Sequence, residues 1–353
     1  MSLFSSYQLG SLQLQNRIVM APMTRCRAIG NVPNALVAEY YGQRSGAGLI
    51  ITEGTAPSPN GLGYARIPGM FTDEQQEAWK PIVAAAHEGG AKIFMQFMHT
   101  GRICHPLNMP EGAECVSASA IQAAGEMWTD QEMMQPHPTP RALETNEIAS
   151  VIEEHVQAAK RAIAAGFDGV EQHGANGYIT EQFLQPKTNH RTDQYGGSWE
   201  NRNRFCIETV KAMADAIGAD KVGVRLSPAN NAFNDMGDNP DMAEQFTALA
   251  GELGKLGLAY IHIVFYEYVP EELLLAMRKA FGGTFILNGA MDRDKAEAVI
   301  GGGLGELASF GSTYLANPDL PVRLEKGIPL NDANPDTFYT GDPVGYTDYP
   351  KAS

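Results

Sequence analysis

A chain of 353 residues with 44% hydrophobic content is long enough for two ordinary domains, or for a single α/β barrel, which routinely exceeds the usual domain length. Its formal net charge of −15, carried without any basic run, repels a phosphate backbone; nucleic acid is excluded as a natural partner and small molecules are favoured. Cys26, Cys104, Cys115 and Cys206 show no CxxC spacing, which speaks against a zinc ribbon or a disulfide framework and for reduced thiols.

The first residues, MSLFSSYQLGSLQLQNR, lack a charged leader before an apolar core, and no later apolar stretch reaches bilayer length. The expectation is a soluble, cytoplasmic protein. Short apolar runs ending in polar residues or glycine then recur at 18–21, 49–52, 92–97, 169–172, 222–226, 260–264, 284–287 and 307–310. Helix-period stretches alternate with them at 35–44, 73–88, 145–165, 200–217, 242–256, 271–280, 292–300 and 319–326. Strict alternation implies parallel strands, and eight of them close more naturally into a (β/α)8 TIM barrel than into an open doubly wound sheet, the structural alternative. Residues 1–353 are expected to form one domain. Within it, the proline-bearing segment 101–141 is too long for an ordinary βα turn and is read as a lid containing a hairpin. The polar tail 328–353 is expected to wrap the barrel.

Barrel enzymes place their chemistry where the strands end. Here those positions hold Pro22, Met23 and Thr24; Glu53 and Gly54; Gln96 and Met98; His173, Asn176 and Tyr178; Arg225 and Ser227; His262; Asn288 and Gly289; Gly311 and Ser312. No lysine stands among them, so a Schiff-base mechanism lacks its nucleophile. Neutral hydrogen-bond donors plus one arginine suit a planar polar cofactor better than a metal ion. Glycines after the seventh and eighth strands let backbone N–H groups approach a phosphate. The densest cluster is His173-Gly-Ala-Asn176-Gly-Tyr178, in which an imidazole, an amide and a phenol can grip a carbonyl oxygen and still leave one proton to give away.

The segments NRIVMAPMTR, GLIITEGT, QFMHTGR, the HxxNxY run followed by NHRTDQYGGSWENRNRF, GVRLSP, ANPDL and GYTDYP together resemble the Old Yellow Enzyme family, in unbroken order from about Leu3 to Pro350. The resemblance implies a barrel that binds FMN non-covalently, accepts electrons from NADPH or NADH, and reduces activated carbon–carbon double bonds. It assigns Thr24, Gln96 and Arg225 to the flavin ring, with main-chain groups of Pro22, Met23 and Gly54. Gly289 and Gly311 fall to the phosphate. His173 and Asn176 would hold the substrate oxygen, Tyr178 would protonate the α-carbon from the face opposite the flavin, and Tyr64 and Tyr346 would border the substrate. The 189–202 loop is read as structural, and His99, His105, His137 and His262 as incidental.

Two departures stand out. Met98 occupies a place where many members carry tryptophan, and Ser312 stands where the family has an arginine for the phosphate, so weaker FMN retention is expected. A monomer or homodimer acting on unsaturated carbonyl, maleimide or nitro compounds is the leading reading. The alternatives are a flavin reductase of nitrate esters or nitro compounds, a flavin- or phenol-binding protein of weak turnover, and a metal hydrolase built on His173, His262 and Glu53.

Overall fold

The computed structural model describes residues 2–230 and 232–352. Its centre is a closed barrel of eight parallel strands, numbered here in chain order: β1 (Ile18–Met20), β2 (Leu49–Ile51), β3 (Lys92–Phe97), β4 (Gly169–Gly174), β5 (Val222–Leu226), β6 (Tyr260–Val264), β7 (Thr284–Asn288) and β8 (Leu307–Phe310). Every predicted strand is present, and pairing of β8 with β1 closes the ring, which rules out the open sheet. Each strand is buried on both faces, which is why the strands read as continuous apolar runs.

Period-two alternation divides the barrel interior by height. The layer nearest the amino ends of the strands is apolar: Val19, Leu49, Ile51, Phe94, Tyr260, Ile286 and Leu307 pack with Leu9 and Leu14. Those two leucines belong to an antiparallel hairpin, Tyr7–Leu9 with Leu12–Leu14, that floors the barrel and was not foreseen from the sequence. Phe94 and Tyr260 fill this layer so completely that a Cβ at Gly169 would lie 2.4 Å from the Phe94 ring, and one at Gly223 2.3 Å from the Tyr260 ring. Two residues further along the strands the interior turns polar, with Gln96, Glu171, Arg225, His262, Asn288 and Ser309. The floor therefore supplies cohesion, and the chemistry sits above it.

Helices cover the outside. Asp73–Glu88 shows how local sequence sets such an element: Thr72 and Gln75 form a reciprocal capping box, and the helix turns Trp79, Ile82, Val83 and Ala86 into the core. Segment 101–141 contains the expected hairpin, Glu126–Thr129 paired antiparallel with Met133–Pro136. Asn108 Nδ2 fastens it by donating to Gly63 O at 2.9 Å and to Trp128 O at 2.8 Å. In the same segment Cys104 and Cys115, with Cα atoms 6.2 Å apart, form a disulfide, which corrects the expectation of four reduced thiols. A spacing test for metal or redox motifs has no power over two cysteines brought together by a loop. The 189–202 loop is pinned: Asn189 Nδ2 donates to the carbonyls of Phe183 and Tyr195, each at 2.7 Å, and Arg202 Nε to Leu184 O at 2.9 Å. Among the described residues no helix is long and apolar enough to cross a membrane.

Candidate active site

The polar layer opens into a cavity of about 860 Å³ at the carboxyl ends of the strands. Pro22, Met23 and Thr24 line it after β1, Gln96 and Met98 at β3, His173, Asn176 and Tyr178 at β4, Arg225 at β5, and Gly311 and Ser312 after β8; Tyr64 closes one side. Gly54, Gly289 and Tyr346 lie elsewhere.

Tyr346 has no exposed surface and stacks on Tyr40 with ring centroids 4.0 Å apart, beneath the guanidinium groups of Arg25 and Arg27. The tail lends Phe338 and Tyr339 to the cavity instead. This correction has a topological cause, since nothing in a polar tail says which of its aromatic residues reaches the mouth. Gly54 lies under Met98, where a Cβ would stand 2.5 Å from the Met98 sulfur; its bareness makes room for that side chain. Beside Gly289, the loop amide of Ala290 donates to Glu267 Oε1 at 2.7 Å, and a Cβ on Gly289 would meet that carboxylate at 2.1 Å.

The donor cluster follows from how the turn after β4 is tied. Asn176 takes a left-handed backbone (φ 60°) and Gly177 follows at φ 79°. The Gly177 amide donates to Glu181, whose carboxylate also accepts from Ser227 Oγ at 2.9 Å and Asn230 Nδ2 at 3.1 Å. Glu181 is thus a clamp between the β4 and β5 loops that no sequence motif announced. Its burial pushes the carboxyl up to about 7. With the turn fixed, the Asn176 side-chain amide makes no hydrogen bond to any described residue and stays available at the cavity wall.

His173 accepts the Ala175 amide on Nδ1 at 3.3 Å, which leaves the proton on Nε2. Burial, reinforced by Arg225 and His262, holds the imidazole well below its ordinary value, so it is a neutral donor. The Tyr178 ring meets it edge-on with centroids 4.9 Å apart. Tyr178 and Tyr64 share a hydroxyl–hydroxyl hydrogen bond of 3.0 Å. Burial raises the Tyr178 phenol well above 10, and the Tyr64 phenol is pushed up to about 12, so both stay protonated at neutral pH.

Arg225 is 5% exposed and donates Nη2 to Asn288 Oδ1 at 2.9 Å, while its Nε and Nη1 have no partner. Burial lowers it to about 10, which leaves it charged at neutral pH. Two buried, unpartnered N–H groups of a cation beside a cavity call for an acceptor that carries or develops negative charge. The pyrimidine edge of a flavin is such an acceptor, so the ring end of the site fits FMN. At the far end Ser312 offers a hydroxyl and no charge. His262 is bonded to Glu171 at 2.9 Å and Ser309 at 3.1 Å, and Glu53 accepts the Arg25 amide at 3.1 Å, so the hydrolase grouping of His173, His262 and Glu53 does not assemble.

A barrel mouth with this donor set and a buried cation facing it defines a class, the barrel oxidoreductases that work through a flat redox cofactor. Residues 2–331 match the NADH:flavin oxidoreductase / NADH oxidase family. The 12-oxophytodienoate reductase 1 of Oryza sativa subsp. japonica is 43% identical, over 99% of this chain and 92% of its own length. A putative 12-oxophytodienoate reductase 2 of the same plant is 42% identical over 99% and 93%. Among solved structures, morphinone reductase in complex with tetrahydroNAD superposes with a TM-score of 0.96 at 44% identity, covering 100% of this chain and 98% of its own. The chain belongs to this family, the Old Yellow Enzyme family, whose flavin is FMN, and it is an NAD(P)H:flavin oxidoreductase.

Proposed function

We propose that the chain is an ene-reductase that reduces the activated C=C bond of α,β-unsaturated carbonyl, maleimide or nitro compounds. One observation carries the reading: His173 and Asn176 present unused neutral donors, and Tyr178 a protonated phenol, in the cavity that Arg225 faces. The relatives named as reductases of 12-oxophytodienoate and morphinone support the same substrate class. Residues 1–353 act as one FMN-binding unit with 101–141 as its lid.

Thr24, Gln96 and Arg225 would hold the ring of FMN, which when bound would supply the hydride, drawn in turn from NADH or NADPH. His173 Nε2–H and the Asn176 amide bind the substrate oxygen, and their hydrogen bonds strengthen as charge builds there, which polarises the double bond. Tyr178 gives its proton to the α-carbon as general acid, and Tyr64, 3.0 Å away, fixes the direction of its hydroxyl. Met98, Trp128 and Phe338 wall the substrate off from water. The test is turnover of 2-cyclohexenone by FMN-loaded protein with NADH. The saturated ketone is the expected product, and a protein that binds flavin yet consumes no enone would be a binder only.

A further inference from the structure

Glu171 is a carboxylate that the mechanism above does not use, and it is fully buried in the barrel. It projects from β4 beside Gln96 of β3, its register partner. Gln96 Nε2 donates to Oε1 at 2.7 Å, and His262 Nδ1, from β6, to Oε2 at 2.9 Å. His262 is neutral: burial and Arg225 lower it to about 4, and its Nε2 accepts from Ser309 Oγ at 3.1 Å. Burial alone would raise the Glu171 carboxyl, but His262, Arg225 and Gln96 outweigh it and keep the group ionised. Among the described residues no cation lies within salt-bridge distance of it, and its one ion-pair contact is the neutral His262. A buried charge whose hydrogen-bond donors are all neutral, with Arg225 acting on it only through space, carries a desolvation cost that an apolar residue in its place would not.

Resting on the functional reading above, we propose that Glu171 is a positioning residue that sets the flavin potential: its negative charge offsets Arg225, and its bond to Gln96 fixes which way that amide faces the cofactor. Two-electron reduction adds negative charge beside Arg225, whose cation favours it and whose neighbour Glu171 opposes it. The Gln96 amide, with one N–H committed to Glu171, is left with its carbonyl and second N–H for the cavity. A buried charge of each sign thus keeps the reduced cofactor reactive enough to part with hydride.

The experiment is a spectroelectrochemical titration of FMN-loaded wild type, Glu171→Gln and His262→Gln at neutral pH. Removing the charge in Glu171→Gln is expected to favour the reduced form at least tenfold, a shift of about 30 mV to more positive potential for a two-electron couple. His262→Gln keeps the charge but loses an imidazole donor, and is expected to shift the potential in the opposite direction. This second variant also keeps the proposal open to test if Glu171→Gln fails to fold. Unchanged potentials in the folded variants, with only melting temperature or FMN affinity reduced, would overturn the inference and make Glu171 a purely structural group. A wild-type chain that takes up no FMN would overturn the functional reading itself, and the inference with it.

Discussion

At the scale of single residues, protonation states decide what each group can do. A neutral His173 and a protonated Tyr178 both follow from burial, so neither titrates through the ordinary histidine range. The pH–rate profile of kcat/KM for an enone is therefore expected to carry no inflection from His173 between about pH 5 and 8, and an inflection at about pH 7 that persists in His173→Ala belongs to the Glu181 clamp. Replacing His173 by alanine removes one donor to a bound anion and is expected to weaken 4-nitrophenolate binding by about 1.5–3 kcal/mol in a spectral titration. Met98→Trp narrows the wall above Gly54, and a changed product enantiomer across several enones is the outcome chiral chromatography should show. Much of this scale was legible in the sequence, because HxxNxY sits in one turn and needs only that turn to converge. Glu181 and Glu171 were not, since Glu181 draws Ser227 and Asn230 from the loop after β5 and Glu171 draws Gln96 and His262 from other strands, and a lone glutamate in a short helix or a strand carries no local signal.

At the scale of elements, the loops after β7 and β8 carry the cofactor question. The expectation that Gly289 serves the phosphate meets a carboxylate, because Glu267 takes the adjoining amide that an anionic ligand would need. With Ser312 in place of a cation, charge at this end works against a phosphate, and charge-assisted contacts are about twice as strong as neutral ones. Glu267→Gln and Ser312→Arg are each expected to tighten FMN binding severalfold while leaving riboflavin affinity unchanged, as read by quenching of flavin fluorescence. The hairpin of segment 101–141 is tied by Arg66, which pairs with Asp130 and donates to Tyr339 O at 3.0 Å, so hairpin and tail meet at one side chain. That tie was invisible in sequence for the reason Tyr346 was misplaced: contacts between two loops distant in the chain have no periodicity to betray them.

For the whole molecule, the barrel was readable because parallel strands buried on both faces leave uninterrupted apolar runs between amphipathic helices. The hairpin floor escaped notice because its three-residue strands are too short to show alternation. Buried carboxylates leave a global signature. Burial raises Glu53 from 4.5 to about 7, so its contribution to stability is complete below its unfolded value and is lost as pH rises through the folded one. The melting temperature of Glu53→Gln relative to wild type is accordingly expected to climb from about pH 5 to pH 8, and differential scanning calorimetry at several pH values would check it.

The central claim, that one cavity joins a reduced flavin to an alkene clamped by His173 and Asn176 under the Tyr178 phenol, is tested most directly by the two half-reactions of Tyr178→Phe. Reduction by NADH should proceed at the wild-type rate, and reoxidation by 2-cyclohexenone should slow by about 10²–10⁴-fold, the usual weight of a general acid. Wild-type reoxidation by the enone in that variant would contradict it.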